Sequence, residues 1–254
     1  MTNGQIAIVA SYLAEVKPLI RHLKLNKLND NIYINEDFII AVSGQGIIHA
    51  ASSIGSLFSN YSNIRALINF GCGGGTDEVG TFTLIDAIRF FNKVDYLPTP
   101  FRHTFKKQHL ETKLDESFDY KQGVIFDMEG WGVIQAAKKH LEKDYLFIAK
   151  VISDNSSTIF NKSSVNKMIE DNLSNIDTLI KKIKKIILPK PTHLKETLNN
   201  YARQFHISTY QRHELCNLLE RLLVLEITPP KSAKTVNELI KNIKIQLNKT
   251  KLFL

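Results

Sequence analysis

The sequence predicts an α/β fold, and three observations carry that expectation. Residues 123–157 (GVIFDMEGWGVIQAAKKHLEKDYLFIAKVISDNSS) read as strand, helix, strand. Residues 124–126 and 145–152 are short apolar runs rich in β-branched and aromatic side chains, and Val133, Ile134, Ala137 and Leu141 recur between them at helical spacing. The chain opens in the same alternation: Gln5–Ala10 (QIAIVA) is a strand, and residues 13–25 form a helix with Val16, Leu19, Ile20 and Leu23 on one face. Thirdly, strands and helices keep alternating through most of the first 187 residues, the order of an α/β domain.

Taken in order, Glu15 stands in the first turn of the first helix, where the helix dipole favours a negative side chain. Residues 32–35 and Phe38–Val42 read as a hairpin that enters the turn Ser43-Gly44-Gln45-Gly46, followed by a helix over 49–58. A strand over 66–70 runs into Gly71-Cys72-Gly73-Gly74-Gly75, expected as a loop that presents backbone N–H groups to a bound molecule. That loop matches neither the Walker A nor the dinucleotide fingerprint. Residues 81–88 form a further strand; residues 93–122 are polar with no sustained period, hence loop with at most one short helix. After the strand–helix–strand unit, residues 161–187 read as one long helix, with Met168, Ile169, Leu173, Ile176, Leu179, Ile180 and Ile183 in register. Ligands of open α/β sheets bind beyond the carboxyl ends of strands. Asp127-Met128-Glu129 and Ser153-Asp154 occupy such ends and are candidate site residues, although polar turns at strand ends read the same way.

Composition narrows the class. Apolar residues make up 43% and charged ones 23%, ordinary values for a globular chain. No apolar run approaches the ~20 residues of a membrane span, and MTNGQIAIVA lacks the basic-then-apolar pattern of a signal peptide. Two cysteines, Cys72 and Cys216, make no disulfide framework, so a reducing, cytoplasmic setting is expected. The net charge of +8 is uneven: residues 1–177 carry 18 Lys and Arg against 20 Asp and Glu, residues 178–254 carry 15 against 5. The positive excess belongs to a tail, residues 189–254, that begins at the break Pro189-Lys190-Pro191. Three helices are expected there, over 192–206, 208–226 and 234–248, with Pro229-Pro230 before the last. Thr209 is a candidate cap of the second, and Leu215, Leu218, Leu219, Leu222 and Leu223 form its apolar stripe. The tail suits a helical extension that packs on the main domain or builds a homodimer; its charge also suits nucleic acid or an acidic partner. Tyr201, Phe205 and Tyr210 fit base stacking or helix packing, and His193, His206, His213 and Cys216 lack the spacing of a zinc site.

Taken together, these motifs resemble the nucleoside phosphorylase/nucleosidase superfamily over residues 5–187, and within it the methylthioadenosine/S-adenosylhomocysteine nucleosidases. IAIVASYLAEVKPL is similar to that family's first strand and helix, with Glu15 at its catalytic glutamate, and VSGQGIIHAA to its second glycine turn. LINFGCGGG resembles the Asn-Thr-Gly-Ser-Ala-Gly-Gly loop with Cys72 in place of Ser, FDMEGWGV the Met-Glu signature, and VISDNSS the Ser-Asp signature. The resemblance implies a three-layer α/β/α domain with a mixed central sheet over residues 1–188; the basic helical extension over 189–254 lies outside it. It also implies hydrolysis of the N-glycosidic bond of a purine nucleoside or related compound, with no cofactor and no metal. The transition state has oxocarbenium character, so the site needs an acid beside the base and a carboxylate beside water. By resemblance, Glu15 takes the proton from water and Asp154 protonates the base, which near neutral pH requires a carboxyl shifted up from about 3.9. Ser153 orients Asp154, Glu129 accepts both hydroxyls of the ribose diol, Met128 walls the sugar, and Cys72 and Gly73 line the site. Lys150 stands where the nucleosidases usually have an arginine near the catalytic glutamate, with the charge kept and the planar fork lost.

The choice between hydrolysis and phosphorolysis turns on arginines. Phosphorylase relatives bind phosphate with arginines in the first loop, before the second strand and just before the central Gly-Ser; here those places hold residues 11–14, an arginine-free stretch 35–42, and Asn69. Water is therefore the expected nucleophile. Two features depart from the family. The segment before Asp127 is short, leaving Phe101, Phe105, Phe118, Phe126 and Trp131 as candidate stackers for the base, and the tail resembles nothing recognised. A non-catalytic nucleoside-binding or nucleic-acid-associated protein that keeps the fold is the competing reading.

Overall fold

Ten strands form one mixed sheet in the computed structural model, which describes residues 4–187, 192–224, 227–230 and 233–251. They are β1 (Gln5–Ala10), β2 (Asn26–Lys27), β3 (Ile32–Ile34), β4 (Phe38–Val42), β5 (Ile64–Gly74), β6 (Phe82–Phe90), β7 (Lys93–Tyr96), β8 (Lys106–Thr112), β9 (Val124–Asp127) and β10 (Leu146–Asp154). The helices are α1 (Leu13–His22), α2 (Ile47–Asn60), α3 (Gly130–Ala137), α4 (Val165–Asp171), α5 (Leu173–Ile187), α6 (Thr192–Gln204), α7 (Thr209–Val224) and α8 (Val236–Lys251). The chain divides into two compact units, Met1–Thr99 with His103–Ile187, and Pro100–Arg102 with Leu188–Leu254.

In the first unit, β1 pairs in parallel with β4 and β5, and β3 and β2 follow β4 as antiparallel neighbours. On its other side β5 pairs in parallel with β10 and touches β9, while β10, β6, β8 and β9 pair in succession. The strands β5, β10, β6, β8 and β9 therefore close into a ring from which β1, β4, β3 and β2 extend. Strand β1 is buried on both faces. Ala7 and Val9 join Ala50, Ile54 and Leu57 of α2 and Val133, Ile134 and Ala137 of α3 in one apolar cluster, while Ile6 and Ile8 alternate with them and are equally enclosed. Helix α1 packs on α4 and on β1, β4 and β5.

Several expectations from sequence are corrected. Residues 71–74 are strand, not loop: β5 continues through the glycines with Gly71 opposite Lys150, Cys72 opposite Val151 and Gly73 opposite Ile152. Residues 93–122 contain β7 and β8. Strand β8 turns Gln108, Leu110 and Thr112 inward against exposed Lys107 and His109, and two polar residues among three inward positions hide the alternation. The first helix ends at His22, because Lys24 takes a left-handed conformation (φ 54°) that turns Leu25 into the core. The helix expected over 161–187 is two. The side chain of buried Asn172 donates to the carbonyls of Met168 and Gly80 (2.9 Å each) and breaks the run between α4 and α5. Ser153 and Asp154 lie within β10 rather than beyond it.

In the second unit, Leu198, Leu215, Leu218, Leu219, Leu222, Leu239, Ile240 and Ile243 build a separate apolar cluster, with Tyr201 and Phe205 packed against it. Ser208 and Gln211 make a reciprocal capping pair at the start of helix α7. The Ser208 hydroxyl accepts from Gln211 N (3.2 Å) and Gln211 Oε1 accepts from Ser208 N (2.9 Å). The break at residues 189–191 and the side chains of His193, Thr209, Tyr210, His213 and Leu223 lie outside the described residues. Among the described residues, no helix is long and apolar enough to cross a membrane, and no group of three or more His, Cys, Asp or Glu could hold a metal ion.

Candidate active site

Glu15 projects from the first turn of α1 onto β5. Its Oε1 accepts from the backbone N–H of Cys72 (2.7 Å), and its Oε2 accepts from Tyr12 N (2.9 Å) and the Ser11 hydroxyl (3.0 Å). Three donors fix this buried carboxylate and leave acceptor capacity for one more partner, such as water. The approach requires a glycine: a Cβ on Gly71 would stand 2.6 Å from Glu15 Oε1. Farther along β5, a Cβ on Gly73 would meet Ile125 and the Phe126 carbonyl, and one on Gly74 would lie 2.7 Å from Asp154 Oδ2. The glycine run exists because acidic side chains and a neighbouring strand press on it.

Asp154 receives two hydroxyls. Ser153 Oγ donates to Oδ1 and Tyr120 OH donates to Oδ2. Tyr120 lies on the irregular stretch between β8 and β9, its ring 6.0 Å from that of Phe126 at 30°, with Phe118 edge-on at 6.5 Å. Burial, then the Asp154 carboxylate, pushes its phenol well above the ordinary value. Of the other candidate stackers, Phe105 packs on Phe82 (5.4 Å), Trp131 on Phe90 (5.8 Å), and Phe101 belongs to the second unit.

Glu129 precedes α3, and its Oε1 accepts from Gly46 N (2.8 Å) at the start of α2, where Gly46 has a positive φ (92°). Burial first and the neighbouring Asp127 second push its carboxyl up to about 7, against Lys150 and the Gly46 N–H, with Glu15 adding a smaller upward push. Beside it, Gln45 bridges Tyr12 OH (2.7 Å) and Met128 Sδ (3.2 Å) at the rim.

Lys150 takes a different partner from the one the resemblance suggests. Its Nζ pairs with Asp127 Oδ2 at 2.9 Å, both groups being almost fully enclosed. Asp127 is completed by Thr112 Oγ1 (2.8 Å) and Gly130 N (2.9 Å), and Thr112 Oγ1 also accepts from Trp131 N (3.0 Å). Burial works against the charge on Lys150, but Asp127, then Glu129 and Glu15, outweigh it and hold the ammonium above its ordinary range. Cys72 lies among Glu15, Lys150 and Asp154. Burial first and then the Glu15 charge push its thiol far up, so it stays protonated, a poor nucleophile.

The structure thus gathers Glu15, Cys72, Gly73, Lys150, Ser153 and Asp154 on or against one stretch of β5 and the adjoining end of β10, with Glu129 held at the start of α2, where the charges of Lys150 and Glu15 act on it, and Met128 at the rim. Thr112 and Tyr120 escaped sequence reasoning as site residues, while Asp127 and the Gln45–Gly46 turn were noted there without their roles toward Lys150 and Glu129. One signal pointed to Asp127: a lysine inside the apolar strand LFIAKVISD needs a buried carboxylate. Tyr120 had none, lying in a stretch without a period.

No family model matches this chain, and no curated protein matches it in sequence. Solved structures do match. The 5′-methylthioadenosine/S-adenosylhomocysteine nucleosidase of Campylobacter jejuni aligns with a TM-score of 0.57 at 15% identity, over 70% of this chain and 99% of that one. The apo 5′-methylthioadenosine nucleosidase of Arabidopsis thaliana aligns with a TM-score of 0.56 at 15% identity, over 75% and 98%. The Streptococcus pneumoniae nucleosidase, solved with the transition-state inhibitor MT-ImmA, aligns with a TM-score of 0.53 at 18% identity, over 68% and 96%. The chain has the α/β fold of these nucleosidases.

Proposed function

We propose, from that fold, that the protein is a nucleosidase that hydrolyses the N-glycosidic bond of a purine nucleoside or related compound. The observation that carries the reading is that Glu15 and Asp154 both press on the glycines of one strand, with the charges of Lys150 and Glu15 acting on Glu129. Glu15, oriented by three donors, accepts a proton from the attacking water. Asp154, oriented by Ser153, delivers a proton to the departing base, so that the leaving group departs neutral. Glu129 accepts from the ribose diol when ionised, Met128 walls the sugar, and Cys72 and Gly73 form the floor. Lys150, paired with Asp127, acts as a fixed charge that steadies Glu129 and Glu15 without touching the water.

Water rather than phosphate fits this arrangement. The one buried cation of the cluster is already neutralised by Asp127, and no arginine shares a described hydrogen bond or ion pair with Glu15, Glu129 or Asp154. The same reading extends to the whole chain: a three-layer α/β/α catalytic domain over residues 1–188, a helical extension over 189–254, a cytoplasmic homodimer, and an acidic or nucleic-acid partner for the basic tail. A non-catalytic nucleoside-binding module is favoured by one observation, that both oxygens of Asp154 already take hydroxyl donors. Incubation with a panel of purine nucleosides, with and without phosphate, tests both readings. Free base released independently of phosphate supports hydrolysis; release only with phosphate refutes it, and tight nucleoside binding without release supports the module.

A further inference from the structure

Tyr120 holds a contact that the proposed chemistry needs free. Asp154 takes a hydroxyl on each oxygen, Ser153 Oγ on Oδ1 and Tyr120 OH on Oδ2, so its Oδ2 is covered. The Tyr120 ring lies on Phe126 and passes so close to β5 that a Cβ on Gly74 would stand 2.6 Å from Tyr120 Cε1. An aromatic ring stacked on Phe126 with one donor aimed at Asp154 has the form of a purine base that carries a proton on its ring nitrogen. The stretch bearing it, residues 113–123, is outside any strand or helix apart from turns. Its described backbone hydrogen bonds sit at its ends: Lys113 N to Asp127 O (2.7 Å), Val124 N to Lys121 O (3.0 Å) and His109 N to Gly123 O (3.0 Å). Moving Tyr120 therefore breaks no strand pairing.

We propose that Tyr120 is a built-in competitor for the base, occupying Asp154 in the arrangement seen here, yielding to the base of the substrate, and returning to displace the product base. This rests on the reading of Asp154 as the acid of a nucleosidase. The substrate class follows from the shape it replaces: a flat aromatic heterocycle with a nitrogen that can hold a proton toward Asp154. Phe118, edge-on to Tyr120, moves with it.

The test measures binding of adenine, guanine and hypoxanthine by calorimetry to the full chain and to Tyr120→Phe and Tyr120→Ala. Tyr120→Phe keeps the ring on Phe126 and removes only the competing hydrogen bond. Such a bond to a charged acceptor corresponds to roughly ten-fold or more in affinity, so at least one base should bind about ten-fold tighter to Tyr120→Phe, and tighter also to Tyr120→Ala. In the unaltered protein that base should also speed trypsin cleavage after Lys121. Equal or weaker base binding by both folded variants, while the unaltered chain still releases base from nucleosides, overturns the competitor and leaves the hydrolase reading standing. No base binding by any of the three proteins, together with no base release, overturns both. If neither variant folds, unchanged trypsin cleavage of the unaltered chain overturns the proposal.

Discussion

Replacing Glu15 by glutamine separates chemistry from folding in a way that can be worked out from the site. The carboxylate accepts from Cys72 N on one oxygen and from Tyr12 N and the Ser11 hydroxyl on the other. Glutamine has a single acceptor oxygen. If it faces Tyr12 and Ser11, the new NH2 group meets the Cys72 N–H; if it faces Cys72, the NH2 meets the Tyr12 N–H, and only Ser11 can turn its hydroxyl to accept. Either way one buried backbone donor loses its acceptor, at about 1–3 kcal/mol. For a domain of this size that lowers the melting temperature by roughly 2–4 °C per kcal/mol. Loss of the general base should lower kcat by about 10²–10⁴-fold, while KM changes little because water, not substrate, is the partner lost. The assay is purine release from the best nucleoside of the panel, alongside a thermal melt. A Glu15→Gln protein that turns over at the original rate, whatever its melting temperature, refutes the assignment of Glu15.

Three further outcomes follow from the same geometry. Lys150→Met leaves the buried Asp127 carboxylate without its cation and should destabilise by about 3–5 kcal/mol in urea unfolding. Adding Asp127→Asn should recover part of that loss, and no recovery would mean that the pair is not what Lys150 stabilises. Gly73→Ala would place a Cβ 2.5 Å from Ile125 Cγ2 and 2.9 Å from the Phe126 carbonyl oxygen, which as backbone cannot step aside. It should cost about 1–3 kcal/mol or more, and an unchanged unfolding midpoint would show that β9 is not seated against β5. Glu129 sets a pH dependence: in the unfolded chain it ionises near its ordinary 4.5, in the folded protein near 7. Between those values the folded state binds more protons, so stability falls as pH rises from about 4.5 to about 7, and Glu129→Gln should flatten that slope. Nucleoside affinity should run the opposite way, rising through about pH 7 as the ribose acceptor ionises; affinity flat from pH 5.5 to 8.5 would remove Glu129 from the sugar site.

What could be read from the sequence was whatever left a period or a motif. The apolar runs of β1 and β10 and the helical spacing of α3 showed the alternation, and the acids Glu15, Glu129 and Asp154 stood in recognisable settings. The glycines were legible as a place of close approach but not as a strand, since glycine carries no side chain whose alternation could betray one. Strand β8 was hidden because its inward face carries Gln108 and Thr112, polar groups satisfied by partners distant in sequence: Gln108 by Thr83, Thr112 by Asp127. Lys150 was read beside Glu15 because motif position fixes a backbone site; which carboxylate the ammonium reaches depends on a cross-strand neighbour, and Asp127 sits opposite Thr112 only once β8 exists.

The ring of five strands carries a consequence of its own. Four of its joints are ladders of three or more residue pairs, but β5 meets β9 at one rung alone, Gly74 against Phe126. A closed girdle breathes first at its thinnest clasp, and this clasp lies between the Asp154 corner and the aromatic bed of Phe126. Amide exchange should therefore run faster around Gly74 and Phe126 than in the β5–β10 ladder next door.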